Sequence, residues 1–248
     1  WGFIAQNGSM PDAYRFREVV SHQGGYLTAR DDEGWALFKV SGDRDFRDDL
    51  SGSDRKNGEW IEFAPDRLYS VSDGAVVAAE GDTERLVDFL SSRARYSDAY
   101  PSVRRRSEGM AAAANAEGRW GYIHRGGSLL WEGRFEDAMV FSEGMAPVKS
   151  GGKWGFIGKS GAFVIEPRYD GAFPFRDGYA VIRIGDKRGF LKNDDQRGVI
   201  DFIAPQFDDA FRFSEGLAAV KLGDKWGYVT DPDYDALVVG EIVDIKPQ

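Results

Sequence analysis

Apolar residues in this chain come in short runs separated by turn residues, and the runs recur at nearly fixed spacing. Three segments share one order of residue types. Phe141-Ser142-Glu143-Gly144-Met145-Ala146-Pro147-Val148 leads through Gly151-Gly152 to Lys153-Trp154. Phe175-Arg176-Asp177-Gly178-Tyr179-Ala180-Val181-Ile182 leads through Gly185-Asp186 to Lys187-Arg188, and Phe213-Ser214-Glu215-Gly216-Leu217-Ala218-Ala219-Val220 through Gly223-Asp224 to Lys225-Trp226. In each, the first glycine stands seven residues before the turn pair and ten before the Trp position. Short apolar runs flanking a Gly-Gly or Gly-Asp pair predict β-hairpins, because such pairs supply the positive φ of two-residue hairpin loops.

The run after each turn is nearly a copy of the others. Trp120-Gly121-Tyr122-Ile123, Trp154-Gly155-Phe156-Ile157, Arg188-Gly189-Phe190-Leu191 and Trp226-Gly227-Tyr228-Val229 follow at intervals of 34, 34 and 38, and Trp1-Gly2-Phe3-Ile4 opens the chain. Self-similarity of this period is the mark of a repeat architecture, in which each unit buries its apolar face against its neighbours. A second block recurs as Phe135-Glu136-Asp137-Ala138, Tyr169-Asp170-Gly171-Ala172 and Phe207-Asp208-Asp209-Ala210, with Pro167 and Pro205 two residues before the aromatic. Proline cannot donate to a sheet ladder, so this segment is expected at an edge or a turn. Val164-Ile165 and Ile200-Asp201-Phe202-Ile203 supply a third short strand. The Trp is expected to point into the core on the same face as the aromatic two residues on. Its Gly would admit a neighbouring ring or a close backbone approach, and the Lys before it would pair with the recurring acid.

The N-terminal half carries the same plan in worn form. Ala13-Tyr14-Arg15-Phe16 matches Ala210-Phe211-Arg212-Phe213, and Gly25 precedes Trp35 by ten residues. In the next unit Ser70-Val71-Ser72-Asp73-Gly74 reaches Gly81-Asp82, but Glu84-Arg85-Leu86-Val87 fills the Trp-Gly-aromatic-aliphatic positions. Trp35 and Glu84 are 49 residues apart, so this unit holds an insert; the polar stretch from Asp43 to Gly58 is its expected place, as an exposed loop. A competing reading of residues 82–94 is an amphipathic helix with Leu86, Val87 and Leu90 on one face. Leu237-Val238-Val239 and Glu241-Ile242-Val243-Asp244-Ile245 are expected to be closing strands.

These signatures in register resemble the bacterial WG-repeat family, most closely over residues 107–230, more loosely over 1–40 and least over 41–106. The resemblance implies a repeat β-protein that mediates interactions, surface, periplasmic or effector-associated, with no catalytic motif to carry over. The expected fold is all-β, an elongated and curved stack of β-hairpin repeats, with a closed β-propeller as the alternative. Propeller blades usually need four strands in about forty or more residues, against 34 here. Residues 1–248 read as a single repeat domain of about seven units, with 41–106 the degenerate middle unit and its inserted loop.

Charge and chemistry narrow the function. With 41 acidic against 32 basic residues, a net charge of −9 and a pI near 4.9, a general nucleic-acid or anionic-membrane surface is excluded and a basic partner is favoured. There is no Cys and only two His, which removes disulfides, thiolate chemistry and a structural zinc site. His124 stands where other units have Gly158, Lys192 or Thr230 and reads as an exposed strand residue; His22 sits in an insertion. Asp231-Pro232-Asp233-Tyr234-Asp235 has alternate acids, but Ala236 and Ile242 occupy the Gly and Glu positions of a calcium loop, so it reads as an acidic turn. No cofactor is implied, and no apolar run is long enough for a membrane helix. The chain opens at Trp1 inside a motif and is expected to be a fragment or mature form.

Two charged clusters are the candidate binding residues: Asp43, Asp45, Asp48 and Asp49 in the inserted loop, and Arg104, Arg105 and Arg106, read as a solvated face of the degenerate unit. The expected function is a non-enzymatic interaction scaffold for a protein partner, in one version an immunity or inhibitor protein that neutralises a toxin. A glycan or cell-wall binding module and a hydrolase are the alternatives. Buried Trp would accompany a protein partner, and an exposed Trp and Tyr platform a glycan. Oligomeric state and localisation stay open.

Overall fold

The computed structural model describes residues 17–20, 26–30, 35–39, 59–60, 66–69, 72–88, 95–124, 128–194 and 197–231. Asp43, Asp45, Asp48, Asp49 and the rest of the inserted loop, His22, the opening Trp-Gly motif and the expected closing strands lie outside these residues. The chain divides into two compact units, Trp1–Gly133 and Arg134–Gln248. Every regular element among the described residues is a strand, and no helix is long and apolar enough to cross a membrane.

Three sheets begin in the first unit. They comprise β1 (Glu18–Val20), β2 (Tyr26–Arg30), β3 (Trp35–Lys39) and β4 (Glu59–Trp60); β5 (Arg67–Leu68), β6 (Ala75–Glu80), β7 (Thr83–Asp88) and β8 (Arg95–Tyr96); and β9 (Ser102–Val103), β10 (Met110–Ala114), β11 (Trp120–His124) and β12 (Leu129–Phe135). The second unit holds β13 (Asp137–Ala138), β14 (Met145–Ser150), β15 (Lys153–Gly158) and β16 (Phe163–Tyr169); β17 (Gly171–Ala172), β18 (Tyr179–Ile184), β19 (Lys187–Asp194) and β20 (Gly198–Phe207); and β21 (Asp209–Ala210), β22 (Leu217–Leu222) and β23 (Lys225–Thr230). Neighbours within each sheet follow chain order, and no sheet closes on itself.

The all-β hairpin-repeat fold is as expected, and two details correct the sequence reading. Thr83–Asp88 is a strand paired with β6, which excludes the helix alternative there. A full repeat holds four strands within its 34 residues, because the first is only two residues long. The Pro-aromatic-acid segment is split between two sheets: Tyr169 ends β16, and Gly171–Ala172 opens the next sheet.

Turn chemistry fixes the hairpins. In the acid-Gly turns both central residues have positive φ, as in Glu143 (54°) and Gly144 (79°), with Ser142 bridged to Met145. That is the φ pattern of a type I′ turn, whose twist matches the flanking strands. Gly185 (57°) and Gly223 (61°) instead combine with an ordinary Asp, the φ pattern of type II′.

The cores lie between successive sheets. Trp154, Phe156, Ile165 and Tyr169 pack with Ala172, Phe175, Ala180, Ile182 and Leu191, and the rings of Phe156 and Phe175 meet edge-on at 5.2 Å. Tyr179, Val181, Phe190 and Phe207 pack with Ala210, Phe213, Ala218 and Val220. Alternate residues of β18 thus enter two different cores, which is why it reads as one continuous apolar run. A third core joins Ala75, Val77 and Leu86 to Tyr100, Val103, Ala111 and Ile123. Each large side chain buried this way contributes roughly 1.5–3 kcal/mol before entropy.

The glycine of the Trp-Gly pair has a specific cause. Trp154 pairs with Tyr169 and Phe156 with Ile165, so Gly155 alone faces Glu166, Pro167 and Arg168. This bulge of the outer strand collapses onto Gly155: a Cβ there would lie 2.5 Å from the Ile165 carbonyl oxygen and 2.7 Å from the Pro167 nitrogen. Gly189 faces Ala204, Pro205 and Gln206 in the same way, 2.4 Å from the Ile203 oxygen. Both prolines therefore sit in bulges of edge strands, where no ladder N–H is needed.

Candidate functional site

One pair of positions changes character from unit to unit. The backbone N–H groups of Tyr69, Arg104, Met139, Phe173 and Phe211 donate to Val77, Ala112, Pro147, Val181 and Ala219, so these five residues are equivalent. The Trp position is equally well defined by register: Glu84 pairs with Ala79, Trp120 with Ala114, Trp154 with Lys149, Arg188 with Arg183 and Trp226 with Lys221. In two units the side chains at these positions meet. The Arg104 guanidinium lies 4.2 Å from the centroid of the Trp120 ring, and Phe211 and Trp226 have ring centroids 5.6 Å apart.

In the sheet of β5–β8 the same two positions hold Tyr69 and Glu84, and no indole fills the space between them. A groove of about 390 Å³ opens there, lined by Asp66, Arg67, Tyr69, Asp82, Thr83, Glu84 and Pro101. Glu84 Oε2 accepts the Val103 N–H at 2.6 Å, and Asp66 Oδ2 accepts the Gly81 N–H at 2.8 Å. Thr83 Oγ1 donates to the Glu80 carbonyl at 3.1 Å. The lining carries three carboxylates and one guanidinium, and Tyr69 is 39% exposed.

The arginine cluster does not form one surface. Arg104 lies on Trp120, Arg105 is exposed and Arg106 is 1% exposed. Arg106 Nη1 bonds Asp88 Oδ2 at 2.5 Å, Nε donates to the Asp73 carbonyl at 3.0 Å, and Ser72 Oγ donates to the Arg106 carbonyl at 2.7 Å. Arg106 is thus a buried structural cation, correcting its reading as part of a solvated face. The signal was present: Arg106-Ser107-Glu108-Gly109-Met110-Ala111 runs in register with Phe141-Ser142-Glu143-Gly144-Met145-Ala146, so Arg106 stands where other units bury a phenylalanine.

The recurring acids join neighbouring units. Asp73 Oδ2 accepts the Gly109 N–H at 2.6 Å and Glu143 Oε1 the Gly178 N–H at 3.0 Å, each from the acid-Gly turn one repeat on. Asp73 and Glu143 themselves stand at positive φ, 50° and 54°. Lys153 bonds Asp170 and Lys187 bonds Asp208, as the sequence predicted, and the same carboxylates accept the Gly185 and Gly223 N–H groups at 2.8 and 2.6 Å. These bonds, to lysine first and glycine second, hold both carboxyls below the usual carboxylate range. Burial pushes the Tyr169 hydroxyl up, opposed by Arg168 and reinforced by Asp201.

Asp231 is 3% exposed and bonds Lys192 Nζ at 2.6 Å, so the first acid of the alternate-acid stretch is buried and paired rather than part of a surface turn. His124 is exposed at the end of β11. Among the described residues no group of three or more His, Cys, Asp or Glu is placed to hold a metal ion.

A family model described as WG containing repeat matches residues 120–154, 154–187 and 198–226. No curated protein matches the sequence. Similar solved structures include PorZ, a bacterial surface component of the type-IX secretion system of Porphyromonas gingivalis, at 11% identity and TM-score 0.37 over 87% of this chain and 33% of that one. Hsv2 of Kluyveromyces lactis has 11% identity and TM-score 0.43 over 86% and 84%, and virginiamycin B lyase from Staphylococcus aureus 12% and 0.39 over 86% and 80%. The chain spans about a third of PorZ, and likenesses this remote carry no argument about function. The family match falls on the sheets in which the bulge, the Trp-Gly glycine and the lysine-acid bonds recur, and residues 120–226 are identified as three repeats of the WG-repeat family.

Proposed function

We propose that this chain is a non-enzymatic interaction scaffold that binds a protein partner. The observation carrying this reading is that the repeated residues are engaged in building the sheets and their cores: Trp154 is 9% exposed, Gly155 receives the bulge, and Lys153 is bonded to Asp170. Recognition then falls to positions that differ between units, including the exposed Phe173, Phe211 and Tyr69. A glycan platform needs open indoles, whereas Trp154 is buried, Trp120 lies under Arg104 and Trp226 is half-buried against Phe211. A net charge of −9 supports a basic partner, and in the finer version a toxin whose basic active cleft the acidic surface occludes. Asp43, Asp45, Asp48 and Asp49 belong to that surface in this proposal. The test is crosslinking capture from cells of the source organism followed by reconstitution with the purified protein found. A stoichiometric complex that weakens with added salt is expected; retention on isolated cell-wall glycan with no protein complex would contradict the reading.

A further inference from the structure

We propose that the groove between Tyr69 and Glu84 is the seat of an arginine side chain supplied by the partner, an inference that rests on the protein-partner reading above. Glu84 stands at the Trp position, and the residues lining the groove lie in or next to β5, β6, β7 and β9. The neighbouring unit gives a precedent with the two roles exchanged: there a guanidinium, that of Arg104 at the position of Tyr69, lies over the Trp120 ring at the position of Glu84, at 4.2 Å. In the Glu84 unit the aromatic is present as Tyr69 and the cation is missing. A planar guanidinium stacked on Tyr69 would present its N–H edge to carboxylates. Among the described residues Glu84 Oε1 and Asp66 Oδ1 receive no hydrogen bond, each acid's other oxygen being fixed by a backbone N–H. Those amide bonds hold the carboxylates in place before a ligand arrives, and charge-assisted pairing with a guanidinium is the strongest use of such oxygens. Arg67, the single cation among the lining residues, makes no ion pair among the described residues and leaves an excess of two carboxylates over one guanidinium.

The probe is an acetylated, amidated Gly-Arg-Gly peptide, titrated through the millimolar range against the whole chain, with its citrulline counterpart as the uncharged control. The readout is the ¹H–¹⁵N shift of the Gly81 and Val103 amides, the two donors to the groove carboxylates. Saturable shifts of both amides by the arginine peptide alone are expected. Glu84→Gln, which keeps an acceptor for Val103, should weaken the peptide at least about fivefold, Tyr69→Ala about two- to fivefold, and Arg67→Gln should tighten it about twofold. Equal response to the citrulline peptide, or equal binding by wild type and Glu84→Gln, would overturn the assignment. The captured partner separates the two claims: if it binds Glu84→Gln as tightly as wild type, the groove is wrong and the scaffold stands. If the peptide titrates as expected but no protein is captured, the groove binds arginine, and the claim that a protein partner supplies it fails with the scaffold reading.

Discussion

At Gly155 a methyl group would stand 2.5 Å from one backbone oxygen and 2.7 Å from a proline nitrogen, with neither neighbour able to swing aside. Gly155→Ala should therefore destabilise the protein by about 2–3 kcal/mol, the usual scale of overpacking. Gly158, in the same strand, has only a flexible Val164 methyl at 3.5 Å, so Gly158→Ala should change stability by less than about 0.5 kcal/mol. Urea unfolding midpoints at unchanged m-value separate the two. Arg106 tests a different residue-scale effect. Arg106→Phe removes the buried guanidinium bonded to Asp88, which is 6% exposed, and should cost about 3–5 kcal/mol. Adding Asp88→Gly to Arg106→Phe installs the residue types of Gly158 and Phe175 at the equivalent positions and should recover most of the loss. A double-mutant cycle reads the coupling, and additive losses would mean that the ion pair is incidental.

Between strands, the lysine-acid-glycine bonds set a pH response. Asp170 and Asp208 have folded pKa values below their unfolded ones, so their contribution is complete above about pH 4 and is lost as pH falls through the lower folded value. Asp170→Asn should flatten the acid limb of stability against pH, measured by unfolding midpoints. Tyr169 has the opposite sign: its folded pKa is raised, so its contribution is present below about pH 10 and lost as pH rises through the folded value. Tyr169→Phe should flatten the alkaline limb. At this scale the sequence was legible where the determinants are local. The Gly turns follow from adjacent residues, and the Lys partner and the tight approach at the Trp-Gly glycine from blocks that recur at nearly fixed spacing along the chain. The fourth strand did not, because Gly171–Ala172 is too short to show a period and pairs into the following sheet.

For the whole molecule, legibility depended on reading register before composition. Arg104, Arg105 and Arg106 look like one charge run, yet the register of Ser107-Glu108-Gly109 puts the third arginine in a phenylalanine position, where it is buried. Glu84 was visible as a break in the motif, whereas the groove needs Tyr69, brought opposite it only by pairing of β5 with β6 and β6 with β7. Both cases point the same way: the motif builds the scaffold, and recognition is placed where the motif lapses. Calorimetric titration of the captured partner into wild type, Glu84→Gln and Trp154→Phe tests that claim most directly. Glu84→Gln is expected to lose at least about tenfold in affinity with an unchanged unfolding midpoint. Trp154→Phe should lower the midpoint and leave the affinity of the folded protein within about twofold of wild type. Loss of binding by folded Trp154→Phe, with Glu84→Gln binding as wild type, would contradict it.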